Sequence, residues 1–317
     1  MTDVMGVCAA CDTPLAGRYC HVCGQDARAR PAPLRQMAVE VAASYSPLDG
    51  KLARTIAVLV LRPGRLLEAY RSGAGSLYVT PLKLFVAATA LFLSVLNFSD
   101  TTFFQYVWKV DEPGRAVHAV YDPETMEVSV VGATDEDRWL QPRIEPAIDP
   151  EVTAAIEAAT RNGADEATRA NMRYELVLND EQEKLAARLS AWLPNVLWLL
   201  MPLYALGLIP LFGRKRLFLE HVIFAMWAHA VAFLLAMAIS AINSRGANLS
   251  AALLTLPYLA YFTLAAARYY ELSHLQALWR GVVHLIFYVF LVLFPTALVI
   301  LATVTDWNAF LMWFRAP

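Results

Sequence analysis

Five stretches of this chain are apolar enough to cross a bilayer, approximately Pro81–Phe98, Trp192–Phe212, Val222–Ile242, Ser250–Ala267 and Val282–Val304. Crossing about 30 Å of hydrocarbon takes roughly 20 such residues. A backbone in lipid must satisfy its own hydrogen bonds, which a helix does within a single segment. The composition agrees, with 58% hydrophobic residues, 17% charged residues and a mean hydropathy of +0.44, beyond the range of a soluble domain. The expected fold is a membrane all-α bundle of about five transmembrane helices.

Charge sets the direction of threading. Lys51, Arg54, Arg62, Arg65 and Arg71 precede the first span, Arg214-Lys215-Arg216 follow the second, and Arg268 and Arg280 flank the loop after the fourth. Cationic connections stay on the cytosolic side, and five crossings place all of these there together. Arg245 and Arg315 are left as single exceptions. Met1 to Asp12 shows no basic stretch followed by an apolar core, so no cleavable signal is expected. The reading is a cytosolic N-terminus and a periplasmic C-terminus in an inner (plasma) membrane.

Residues 99–191 separate the first two spans and hold 19 Asp and Glu against 9 Lys and Arg. Such an acidic insertion belongs in the periplasm. Ala116–Tyr121 and Met126–Val131 lean toward strand, with Asp122-Pro123-Glu124-Thr125 as a hairpin turn. From Asp149 to Ala191 the pattern is helical, broken at Asn162-Gly163, and its second helix runs into the next span through Trp192. A small α+β extracytoplasmic insertion is expected.

All four cysteines lie in one early stretch, Cys8-Ala-Ala-Cys11 and Cys20-His-Val-Cys23. Two such pairs across a short loop are the spacing of a tetrahedral four-thiolate zinc site. Cys8, Cys11, Cys20 and Cys23 are therefore the candidate metal ligands, and structural Zn2+ is the expected cofactor. The competing redox reading lacks the βαβ surroundings of a thioredoxin-like motif. Four thiolates also leave no open position for catalysis. The chain divides into a zinc ribbon (1–30), cytosolic or interfacial amphipathic helices (31–80), the first span (81–98), the acidic insertion (99–191), and the remaining four spans with a short tail (192–317).

In residues 31–80, Leu34, Met37, Val41 and Tyr45 recur at helical spacing, and Leu52–Leu61 is apolar but edged by Lys51 and Arg62. Short apolar helices edged by cations lie in the lipid interface. Ordinary docking on the bundle is the alternative. The strings Cys20-His-Val-Cys-Gly-Gln25, Arg54-Thr55, Arg62-Pro-Gly64, Glu68-Ala-Tyr70 and Tyr78-Val-Thr-Pro81 resemble a family of uncharacterised bacterial inner-membrane proteins. That family joins an N-terminal zinc ribbon to several membrane helices. The resemblance implies an architecture and a bacterial inner membrane, and it implies no activity.

Four histidines, His221, His229, His274 and His284, fall on the cytosolic half of the third and fifth spans or at their edges, with Glu220 and Glu271 beside them. Ionisable groups at membrane depth are costly, so they are candidate ligands for a metal, proton or haem site. Plain hydrogen bonding to backbone or lipid is the alternative. On an ideal helix His221 and His229 lie about 80° and about 12 Å apart, poor for chelation by that pair. Prolines interrupt the second, fourth and fifth spans, as in transport paths or in simple kinks. No catalytic constellation stands out. The expectation is a non-enzymatic scaffold, accessory or assembly subunit using its zinc ribbon for protein contact. A small-solute transporter or channel, or a membrane haem or metal protein, are the alternatives. The expected partners are the lipid bilayer and a protein or second copy of the chain. Nucleic acid is not expected, and no small-molecule substrate is identified.

Overall fold

The computed structural model describes residues 6–27, 50–73, 77–112, 116–122, 124–125, 127–162, 165–213, 216–290, 294–295 and 297–298. The described chain is mostly helical. The face of Leu34, Met37, Val41 and Tyr45, the pair Arg214-Lys215, and most of the expected fifth span beyond 290 lie outside these residues. Two compact units are present.

The first unit comprises Met1–Ser94, Leu197–Ile239 and Ala251–Pro295. Its helices are α1 (Gly50–Leu61), α2 (Arg65–Arg71) and α3 (Pro81–Phe98), then α6 (Met201–Phe212), α7 (Phe218–Asn243), α8 (Thr255–Tyr269) and α9 (His274–Tyr288). Pro81 opens α3, where a missing N–H costs nothing. Among the described residues, three helices are long and apolar enough to cross a membrane: α3, α7, and Ala251–Tyr269, in which a 3-10 turn leads into α8. Of their most apolar windows, 78% is buried in α7 against 39% in α3 and 28% in Ala251–Tyr269. An all-round apolar helix is a central one, so α7 is the axis of this unit. The expected span Trp192–Phe212 is interrupted at Leu200, two residues before Pro202. Proline removes a helical hydrogen bond at that point, which leaves α6 as a shorter apolar helix.

The Arg62-Pro63-Gly64 break has a local cause. Gly64 adopts φ 79°, and a Cβ there would lie 3.1 Å from Arg268 Cδ and 3.2 Å from Ala265 Cα. The residue must therefore be glycine both for its dihedral angle and for the close approach of α8. Leu66, Leu67 and Tyr70 of α2 are then buried, whereas α1 leaves Val60 and Leu61 exposed. Thr55 stitches the segment together: its Oγ1 donates to the Lys51 carbonyl at 2.6 Å and accepts the Val79 N–H at 3.1 Å. Arg71 donates to the Tyr269 carbonyl at 2.8 Å and pairs with Glu271 at 2.7 Å, and Arg216 approaches the same carboxylate at 3.5 Å. The segment before α3, the connection into α7 and the end of α8 thus meet at one place.

The second unit comprises Val95–Val196, Ser240–Ser250 and Thr296–Pro317. Strands β1 (Thr101–Val110) and β4 (Ala133–Pro142) pair antiparallel, and β2 (His118–Asp122) and β3 (Glu127–Val131) form a hairpin between them in sequence. Helices α4 (Pro150–Asn162) and α5 (Glu166–Leu199) follow. Trp108, Val152, Ile156 and Met172 form its core. The β2–β3 hairpin lies where strand-leaning segments are read. The β1–β4 pair is an addition to that reading, because β4 runs Ala-Thr-Asp-Glu-Asp-Arg-Trp-Leu-Gln-Pro and carries no alternating apolar signal. At the end of α7, the buried Asn243 donates to the Leu140 and Leu249 carbonyls and accepts the Leu249 N–H at 2.7 Å.

Candidate functional site

The two cysteine pairs fold as near copies of one turn. In the first, the Asp12 N–H donates to the Cys8 carbonyl at 2.9 Å and the Cys8 N–H donates to the Thr13 carbonyl at 2.8 Å. Twelve residues on, Gly24 and Cys20 repeat the first bond at 2.8 Å, and Cys20 and Gln25 repeat the second at 2.8 Å. The residue after each pair is left-handed, Asp12 at φ 57° and Gly24 at φ 72°, a conformation that glycine takes freely and Asp tolerates. Two antiparallel bridges, Val7 with Pro14 and Tyr19 with Asp26, close the repeats.

The turns bring all four Sγ atoms within 4.8 Å of one another. Cys8 and Cys23 are 3.6 Å apart and Cys11 and Cys20 are 3.5 Å apart. A disulfide needs about 2.05 Å, and all four cysteines are free. Four thiolates at about 2.3 Å from one ion would be separated by about 3.8 Å along each tetrahedral edge. The cluster fits a single metal ion. Thr13 adds a polar neighbour: its side chain, then its backbone N–H, draw the Cys11 thiol down to about 6 from 9.0. Gln25, also buried, donates to the Gly73 carbonyl just past α2 and so anchors the turns to the helical part of this unit.

The four candidate histidines do not converge. Among the described residues, the four cysteines are the one set of three or more Cys, His, Asp or Glu close enough to share an ion. His221 lies 3.0 Å from the Tyr270 hydroxyl through Nδ1 and 3.3 Å from the Gly213 carbonyl through Nε2. The carbonyl can only accept, so Nε2 carries the proton and Nδ1 accepts from tyrosine. His229 has the opposite tautomer: Nδ1 donates to the Ala225 carbonyl at 2.9 Å, and Nε2 accepts from Tyr288 at 3.1 Å. Both lone pairs are occupied. His274 is exposed at the start of α9, beside the Ser273–Gln276 capping box.

His284 is buried and hydrogen-bonded to the Tyr204 hydroxyl. The Tyr204 ring stands between His229 and His284, at 5.0 and 5.4 Å between centroids. With Tyr258 and Tyr288 these side chains line a cavity of about 230 Å3. The tyrosines were not singled out in the sequence. The available signal was their position on apolar helices, where a hydroxyl needs a partner.

The described residues thus form a mostly helical protein with three helices long and apolar enough to cross a membrane and a four-cysteine cluster able to hold a metal ion. Over residues 49–93 the chain is similar to the family described as protein of unknown function (DUF3667). That segment is α1, α2 and most of α3, less than half of the chain, and it contains Thr55, Gly64, Tyr70 and Arg71. No curated protein and no solved structure matches the chain.

Proposed function

We propose that this chain is a non-enzymatic, polytopic protein of a bacterial inner membrane, a scaffold or assembly subunit whose cysteines hold a structural Zn2+ and present a rigid surface to a protein partner. The observation that carries this reading is the closed tetrad: four sulfurs within 4.8 Å, on two turns anchored by backbone hydrogen bonds. Filling all four positions with thiolate leaves no vertex for a substrate, as in structural zinc sites.

Five crossings are the topology we favour. The meeting of Arg71, Arg216 and Glu271 gathers the segments before α3, before α7 and after α8. If α3 and α7 start at one end, the chain must return between them, and the apolar stretch through α6 is its means. Cations at that end favour the cytosol. Metal analysis of purified protein tests the first half of the proposal: one zinc per chain is expected, none in Cys20→Ala/Cys23→Ala. In-cell crosslinking then reads the partner, and crosslinks unchanged in that variant would remove the ribbon's role. Tags on both termini test the threading, and a shared compartment would overturn it.

The cavity between His229 and His284 favours a second reading, a carrier of a small solute. Ala232→Trp fills that cavity. Mass spectrometry of small molecules released from the two proteins should show a species absent from the variant, and identical profiles would dispose of this reading.

A further inference from the structure

The β1–β4 pair in the second unit carries a face unlike ordinary sheet packing. Residues two apart on a strand share a face, so Phe104, Tyr106 and Trp108 form one column. The register sets Asp137 opposite Tyr106 and Asp135 opposite Trp108, on that same face. Across a cleft of about 490 Å3, these side chains look onto Glu175 and Asn179 of α5, one helical turn apart. A sheet face turned toward a helix is ordinarily apolar. Here it presents two carboxylates, with a third on the helix.

A second observation is independent of the acidic residues. Asn179 lines the cleft at 5% exposure, and its Nδ2 has no hydrogen-bond partner. A buried donor left unmatched costs free energy that a bound acceptor recovers. Burial, then the charges of Asp135, Asp137 and Glu175, push the Tyr106 hydroxyl up to about 12, which places all three carboxylates within electrostatic reach of one aromatic ring. Yet they are not gathered closely enough to share one metal ion. Their separation suits an extended organic cation, with aromatic faces taking its ammonium and methylene groups.

We propose that this cleft binds a small linear polyamine bearing a carbonyl acceptor: Asp135, Asp137 and Glu175 pair with its ammonium groups, Tyr106 and Phe104 cover its chain, and the Asn179 amide donates to its carbonyl. The test is isothermal titration calorimetry on the full chain in mild detergent, with N1-acetylspermidine as the probe. Saturable binding at one site per chain is expected, weakened about tenfold in Asp135→Asn/Asp137→Asn and about fivefold in Asn179→Leu, with circular dichroism unchanged. Glu136→Gln, one residue off the face, should bind as the wild type does. Three outcomes overturn the proposal: no saturable heat at millimolar probe, equal loss in Glu136→Gln, or displacement of the probe by calcium chloride as readily as by spermidine. If the double aspartate variant fails to fold, the Asn179→Leu titration decides alone.

Discussion

Four cysteines and four histidines look like comparable ligand sets on paper, and the structure treats them oppositely. The cysteines sit on two copies of one short turn, so local backbone hydrogen bonds aim all four sulfurs inward. The histidines fall in pairs on two helices, α7 and α9, and each described partner is a tyrosine hydroxyl or a carbonyl. Proximity in sequence produced convergence in one case, whereas helix packing brought only His229 and His284 to one cavity and no three of the histidines within reach of one ion. Among the described residues, the cysteines meet one another within the turns, the buried histidines meet tyrosine or backbone inside the helices, and Arg71, Arg216 and Glu271 meet as partly exposed ion pairs at the helix ends.

The sharpest way to break this comparison is to take metal from the cysteines. Structural zinc binding contributes about 10–16 kcal/mol in small zinc modules, far more than a short stretch such as residues 6–27 can offset by burial. Chelation, or Cys20→Ala/Cys23→Ala, should therefore unfold these turns and leave the helices in place. Limited proteolysis would show cleavage confined to the first 30 or so residues, with the remainder resistant. Protection equal to that of the wild type would mean that the ion is dispensable.

The matching change among the histidines should spare the metal. In His229→Phe/His284→Phe, zinc content is expected to stay at the wild-type level, because neither ring takes part in the four-thiol cluster. The double variant removes the histidine partners of the Tyr288 and Tyr204 hydroxyls, at a cost of about 1–3 kcal/mol for a buried hydroxyl left unpaired. Thermal melts in detergent would read that loss, and metal analysis would read the unchanged ion. A fall in metal content would place a second ion at the histidines and erase the contrast. Smaller again is Thr55→Val, which removes one hydroxyl and leaves the Val79 N–H unpaired, for about 1–2 kcal/mol. Thr55→Ser should restore most of it.

How far the sequence could be read follows the same division. The tetrad was legible because CxxC spacing specifies a turn, and a turn is a local object. The apolar stretch Pro81–Phe98 was legible because length and hydropathy decide a helix there. The role of Gly64 was not, since it depends on Ala265 and Arg268, two hundred residues away. Nor were the tyrosine partners of His221, His229 and His284, which sit 49 to 80 positions from them. Strand β4 was hidden because its acidic residues face a cleft, and periodicity reports only apolar faces. The break at Leu200 was half-visible: Pro202 announces it, but proline within an apolar run reads equally as a kink.

The smallest predicted effect concerns the ion pairs, and its sign is informative. Hydrogen bonding from Arg71, then the charges of Arg71 and Arg216, hold the Glu271 carboxyl below its usual 4.5. A carboxylate lowered in the folded state adds stability above its unfolded value and loses that contribution as the pH falls through its folded value. Wild type should therefore exceed Glu271→Gln in melting temperature at neutral pH, and the gap should close on acidification below about 4.5. Because the glutamate is exposed, the gap should also shrink with added salt, as solvent-facing pairs do. A gap already absent at neutral pH would show that Arg71 holds the end of α8 through its bond to the Tyr269 carbonyl and not through charge. The carbonyl contact survives the substitution, so the pH profile separates the two contributions that one arginine makes.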